Sequence, residues 1–246
     1  MPLLRSAIHY CVVSACLSLA GIASAQAPDS MLVGDFSRAP LGNNPPAEWK
    51  PLSFKRIRQH TSYSVIKDED LHVIKAESNH SASGLVNDVS IDLRDYPFIE
   101  WRWKVANLID KGDPHEKAGD DYPARIYITF AQDQSKLSFA DKIARKISGQ
   151  DIPHSGLNYI WDNKTPINSI LPNAYTDRLR MIVIQSGSDK LNQWQTETRN
   201  VLEDYRKAFG KDPPLISGVA MMTDTDNTGE SATAWYGDIR FKKIAK

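Results

Sequence analysis

Cysteine is almost missing from this 246-residue chain: only Cys11 and Cys16 occur, both within the first 25 residues. Beyond that segment no thiol remains. Disulfides and thiolate metal sites are therefore excluded, and the fold has to stabilise itself by core burial. Long hydrophobic runs are missing too. The longest, Tyr10 to Ile22, falls short of the roughly 20 residues a membrane span needs. It lies between Arg5 and Ala23-Ser24-Ala25, the charged, apolar and small-residue order of a secretory signal. Residues 1–25 are thus expected to be a signal peptide cleaved near Ala25, leaving a periplasmic or secreted protein with no membrane span. "VSAC" at 13–16 loosely resembles a lipoprotein cleavage box, but cutting there leaves an apolar segment on the mature chain.

Excess charge of either sign is absent. Thirty Lys and Arg face thirty Asp and Glu, and the signal removes one base and no acid. A near-neutral chain lacks the basic surface that phosphate binding needs, so no nucleic-acid partner is expected. There is no internal repeat, no low-complexity tract and no Gly-x-Ser-x-Gly nucleophile elbow, which argues against an acyl-transfer triad. His115 has no second histidine at ligand spacing, which argues against zinc.

What is present is a period of two. In "FIEWRWKV" Ile99, Trp101, Trp103 and Val105 share one face and Phe98, Glu100, Arg102 and Lys104 the other. "ARIYITF" alternates in the same way, Ile126, Ile128 and Phe130 against Arg125, Tyr127 and Thr129. Two short strands flank the acidic turn Asp68-Glu69-Asp70. "LNYIWD", "RMIVIQS", "ISGVAMMT" and "TAWYGDIRF" bring the candidates to at least seven. Residues 26–52, rich in Pro, Asn and Gly, read as extended chain and turns. Two stretches follow a helical rhythm instead. One starts at Ser138 and stops at Gly149; the other places Trp194, Val201, Leu202, Tyr205 and Phe209 at helical spacing before Gly210. A parallel α/β fold would need a helix after nearly every strand. Residues 26–246 are therefore expected to form one mainly β domain, an antiparallel β-sandwich of jelly-roll type with one or two inserted helices.

Two polar loops could carry chemistry. "TDTDNTGE" holds Asp224, Asp226, Asn227, Thr228 and Glu230. Its start matches positions one, three, five and six of a calcium hand, but Trp235 stands where the bidentate Glu belongs, and strands flank it. Asp224 and Asp226 remain candidate ligands for a hard cation such as calcium; the same residues also make an ordinary turn. The second loop, "DKGDPHEKAGDDYPARIY", brings Asp113, His115, Glu116, Asp120 and Asp121 ahead of Arg125, where Arg125 with Asp121 can be a plain ion pair. Trp101 and Trp103 belong to the core. Trp161, Tyr159, Trp235 and Tyr236 have polar neighbours and fit either a core or a sugar-binding surface. Asp35 and Asp238 would meet if the first and last strands are neighbours, and would then require a cation or a hydrogen-bond donor.

"FIEWRWKV", "GDDYPARIYITF", "LNYIWDN", "MIVIQSG", the pattern W-x-x-E-x-R-N-V-x-x-D-Y at 194–205 and "TDTDNTGESATAWYGDIRF" occur in this order. Together they resemble a family of exported bacterial proteins, domain-of-unknown-function family 3047, over about residues 30–243. The resemblance implies a single secreted domain of jelly-roll or galactose-binding-like type and no activity. Its motif positions in polar loops are Asp120, Asp121, Arg125, Asn158, Trp161, Glu197, Asn200, Asp204, Asp224, Asp226 and Asn227.

Three functions stay open on the sequence. The first is a non-catalytic module for a glycan or other envelope polymer, with Asp120, Asp121, Arg125, Asp224, Asp226 and Asn227 lining the site and Trp161 or Trp235 supplying a ring. The second is a carbohydrate-active hydrolase or lyase, with Asp224 or Asp226 as base and Glu230 or Asp121 as acid. The third is an envelope interaction module that docks a protein on a helix from Glu197 to Phe209.

Overall fold

The computed structural model describes residues 28–131 and 155–244. The expected signal at 1–25 and the expected helix beginning at Ser138 lie outside these described residues. Two sheets face each other. The first runs in the order β11 (Gln195–Asn200), β6 (Phe98–Val105), β13 (Ser231–Lys242), β4 (Leu71–Asn79) and β3 (Ser62–Asp68). β1 (Ser30–Gly34) pairs with the end of β13 that β4 leaves uncovered. The second runs β2 (Lys50–Leu52), β5 (Ala82–Ile91), β12 (Ile216–Asp224), β7 (Arg125–Phe130), β8 (Ser155–Asp162), β10 (Leu179–Ser186) and β9 (Ile170–Pro172). This is a jelly-roll-type β-sandwich.

Alternation decides which side chains face inward. Ile99, Trp101, Trp103 and Val105 of β6 meet Ile126, Ile128 and Phe130 of β7 and Leu157, Tyr159 and Trp161 of β8, all buried in one core. Trp101 stacks on Tyr159 with ring centroids 5.3 Å apart, and Trp103 lies 6.0 Å from Trp161. Burial of each such side chain is worth about 1.5–3 kcal/mol, so without disulfides this inter-sheet stack is the principal adhesive.

The structure departs from the sequence expectation in three places. β8 and β10 pair in parallel, not antiparallel. A parallel pair needs a connection of a dozen or more residues, and the segment 163–178, which includes β9, supplies it. The second departure concerns 194–209, where only the latter half is helical. Gln195–Asn200 is the polar edge strand β11 against β6. Helix α1 (Val201–Phe209) starts at Asn200, whose side chain accepts the Glu203 N–H at 3.1 Å, and stops at Gly210 with φ +68°. The third is β5, which no apolar alternation announced.

β1 beside β13 does bring the two chain ends together. Ser37 answers the acids there: its N–H and its hydroxyl each donate to Asp238 at 2.8 Å, and the hydroxyl lies 3.4 Å from Asp35. Ser37 is a hydrogen-bond donor of the kind those acids require. Among the described residues no helix is long and apolar enough to cross a membrane.

Candidate functional site

β12 pairs with β7 so that Met222 stands opposite Arg125. Two residues further along β12, on the same face, comes Asp224. That face is the outer one, because Ile126 and Ile128 point the other way into the core. Arg125 is nevertheless 2 % exposed, since the loop 106–124 folds over it. Its guanidinium binds Asp224 through Nε at 2.8 Å and Nη2 at 2.5 Å, reaches the Tyr127 hydroxyl at 3.0 Å and the Asp120 carbonyl at 2.5 Å, and lies 4.3 Å from the Tyr122 ring. The bidentate partner is thus Asp224 rather than the sequence-adjacent Asp121. Strand pairing brings together residues 99 positions apart.

Asp121 has a different job. Its Oδ1 accepts from the N–H and side-chain amide of Asn227, and its Oδ2 from the N–H and hydroxyl of Thr228 at 2.6 and 2.7 Å. This pegs the turn after β12 onto the loop before β7, with Gly229 at φ +70° closing the turn. The two acidic loops of the sequence are one structure.

Four carboxylates, Asp120, Asp121, Asp224 and Asp226, surround one guanidinium. The acids respond as electrostatics requires. Burial raises Asp120 above the usual carboxylate range, with Arg125 opposing and Asp121 adding to it. Burial and then Asp121 raise Asp226. Burial also pushes the Asp224 carboxyl up, against the pull of Arg125. For Arg125 burial is the largest influence and works against the charge, but Asp224, Tyr127, Asp120 and Tyr122 together outweigh it and the side chain keeps its proton. Burial raises the phenols of Tyr122 and Tyr127 as well.

Several polar atoms in this nest make no hydrogen bond among the described residues, although Asp120 Oδ1 lies 3.6 Å from Arg125 Nη1 as an ion pair. These atoms, Asp120 Oδ1, the Tyr122 hydroxyl and both amide atoms of Asn158, are shielded from solvent. They lie in one region. Asn158 stands opposite Tyr127 on one side and Met181 on the other. Asn173 reaches both Asp120 Oδ2 at 3.4 Å and the Met181 sulfur at 3.9 Å. Donors and acceptors without hydrogen bonds in one region suit a ligand or water that can both give and take them.

A family model described as "Protein of unknown function (DUF3047)" matches residues 47–240. The chain belongs to the DUF3047 family. A search of curated proteins finds no match. Among solved structures, this DUF3047 chain is similar to the family 11 carbohydrate-binding module of a cellulosomal cellulase of Clostridium thermocellum, at TM-score 0.46 and 11 % identity, over 90 % of this chain and 98 % of that one. It is similar to the carbohydrate recognition domain of Emp47p at TM-score 0.43 and 14 % identity, covering 88 % and 96 % of the two chains. A family 12 xyloglucanase of Bacillus licheniformis follows at TM-score 0.44 and 8 % identity, covering 87 % and 100 %.

Not every expected residue reaches this site in the DUF3047 chain. Trp161 is fully buried against Trp103, and its indole N–H donates to the Gly187 carbonyl, so it cannot present a ring to a ligand. Trp235 lies on the other sheet beneath Lys104, whose ammonium is 4.6 Å from its ring. Glu230 faces away from the nest, accepting the backbone N–H groups of Asp110 and Lys111, and helps line a polar groove of about 650 Å³ with Asn79, His80 and Asn107. Tyr175 joins the site from outside the two acidic loops. It is 54 % exposed and donates its hydroxyl to Asn227 Oδ1 at 2.7 Å. That contact and its exposure place the ring at the rim of the nest, where burial first, then Asp120, Asp226 and Asp121, raise its phenol pKa. "NAYTD" reads only as a turn, so no local signal pointed to it.

Asp121, Asp224 and Asp226 can each offer an oxygen, all within 4.8 Å of one another. The fit to calcium, which takes 6–8 oxygens, is partial. Both Asp121 oxygens are committed and Asp224 is held by Arg125, while Asp226 takes only its own N–H. A cation here would draw much of its shell from water or ligand hydroxyls.

Proposed function

We propose that this protein is an exported, non-catalytic binding module for a glycan or another polyhydroxylated envelope polymer, recognised at the rim formed by Tyr175, Asp226 and Asn227. One observation carries the reading: an exposed aromatic ring is hydrogen-bonded into a nest holding four carboxylates and one guanidinium. Aromatic rings cover the apolar face of a pyranose, and flanking amides and carboxylates bind its hydroxyls. Calcium at Asp224 and Asp226 with Asp121 would balance the excess negative charge and take ligand hydroxyls into its shell. Export rests on the leader sequence at 1–25.

Against a paired-carboxylate hydrolase or lyase stands the engagement of its members. Asp224 is clamped by Arg125, Asp121 by four donors and Glu230 by two backbone amides. Against a docking helix stands α1 itself, whose Val201 and Tyr205 are buried and whose Leu202 and Phe209 pack on the core.

The test is calorimetric titration of a panel of neutral and acidic envelope glycan fragments into the wild-type protein and Tyr175→Ala. Saturable binding, weakened about tenfold by loss of one ring contact worth ~1.4 kcal/mol, supports the reading. Binding indifferent to Tyr175→Ala overturns this site. New reducing ends that vanish in Asp226→Asn would favour the enzyme.

A further inference from the structure

The outer face of the other sheet carries a cation, Arg102, that forms no direct ion pair among the described residues, although it lowers the pKa of nearby Asp68. Arg102 of β6 projects there, away from Trp101 and Trp103. Opposite it β13 bulges: Tyr236 pairs with Trp103 and Ile239 with Trp101, so Gly237 and Asp238 together face Arg102. The bulge needs its glycine. A Cβ at Gly237 would lie 2.8 Å from Arg102 Cδ and 2.9 Å from its Nε, so only glycine lets the side chain lie along the sheet.

The guanidinium is held by its face and makes no hydrogen bond along its Nε–Nη2 edge among the described residues. Its carbon lies 4.1 Å from the Trp194 ring centre. The in-plane Nε and Nη2 are shielded from solvent. Shielding charged donors without a partner is costly, which makes this edge a place to look for a ligand. Every acid nearby is already answered. Glu100 is paired with Lys242 at 2.5 Å and Arg240 at 3.6 Å, Asp238 with Ser37, and Asp68 with Lys104 and the Trp194 indole N–H. Arg102 borders a cavity of about 160 Å³ shared with His72, Thr196 and Arg240. His72 uses Nδ1–H on the Ala39 carbonyl, since a carbonyl can only accept, and Nε2 makes no hydrogen bond among the described residues.

We propose that this cavity is a second ligand site, in which the Nε–Nη2 edge of Arg102 binds a small carboxylate side-on through two parallel hydrogen bonds. The Nε and Nη2 hydrogens point the same way and match the two oxygens of a carboxylate. A volume near 160 Å³ equals about five waters at ~30 Å³ each, room for a carboxylate with a short carbon stub and not for a sugar chain. The site lies on the opposite sheet from Tyr175 and does not depend on the reading of that rim.

Trp194 provides the reporter. Acetate, malonate and, separately, inorganic phosphate are titrated into the full-length protein while Trp194 fluorescence and the Arg102 Nε–H resonance are followed. Arg102→Lys keeps the charge and loses the fork; Gly237→Ala crowds it. The expected result is a saturable carboxylate response that moves the Nε–H signal and weakens about tenfold or more in Arg102→Lys. Should either variant fail to fold, the wild-type Nε–H signal decides alone. A silent Nε–H signal with all three anions, or equal binding in a folded Arg102→Lys, overturns the site. Response to phosphate alone overturns the carboxylate assignment.

Discussion

Replacing Arg125 with methionine removes the buried guanidinium from the nest and little of its volume. Asp224, 3 % exposed, then loses two charge-assisted hydrogen bonds and keeps only the Tyr122 N–H at 3.3 Å. Breaking a buried pair from one side costs about 3–5 kcal/mol. For a domain of this size each kcal/mol is worth about 2–4 °C, so the melting point should fall by roughly 6–20 °C. The loss should depend on pH in a set direction. Burial already raises Asp224, and without Arg125 it rises further, so at acid pH the carboxyl takes a proton and the penalty shrinks. Urea unfolding followed by tryptophan fluorescence, at about pH 5 and about pH 8, measures both effects. Adding Asp224→Leu should recover most of the loss, because an apolar pair of similar volume replaces a charged one. A single variant that costs under about 1 kcal/mol, or a double variant no better than the single, would refute the view that this pair locks the two loops.

Three further outcomes are expected. Asp120 and Asp226 have raised pKa values in the folded protein, so the folded state holds more protons than the unfolded one just above the usual carboxylate range. Stability without metal should therefore fall as pH rises through that window, and saturating calcium should flatten the fall in melts recorded across it. Trp161→Ala should lower stability by about 3–5 kcal/mol in urea melts through the cavity it leaves, while any glycan affinity measured on folded protein stays unchanged. Asn200→Ala should cost about 1 kcal/mol through loss of the helix cap, read by the same melts, with no change in binding.

The sequence was most legible where one face of a strand is buried. Ile99, Trp101, Trp103 and Val105 alternate because burial selects every second residue, and that pattern located β6 and the core at once. β11 was misread because an edge strand with mixed exposure needs no apolar alternation. Its backbone pairs with β6 whatever "QTETRN" displays, while the true helix cap lay six residues beyond Trp194. Asp121 and Asp224 could be singled out as polar loop residues, but not their partners. Which acid takes Arg125 depends on the β7–β12 register, a long-range quantity. Tyr175 was illegible for the same reason, since only the tertiary fold sets it against Asn227.

In the proposed reading the two acidic loops form one ligand site, with calcium held at Asp224 and Asp226. Calcium titrated into EDTA-treated protein, read by heat for the wild type and for Asp226→Asn, tests it most directly. Asp226 is only half-buried and makes no side-chain hydrogen bond or ion pair among the described residues, so the variant should fold. The account predicts saturable binding of calcium by the wild type and its loss, or severe weakening, in Asp226→Asn. No heat in the wild type, or equal binding by both proteins, would contradict it.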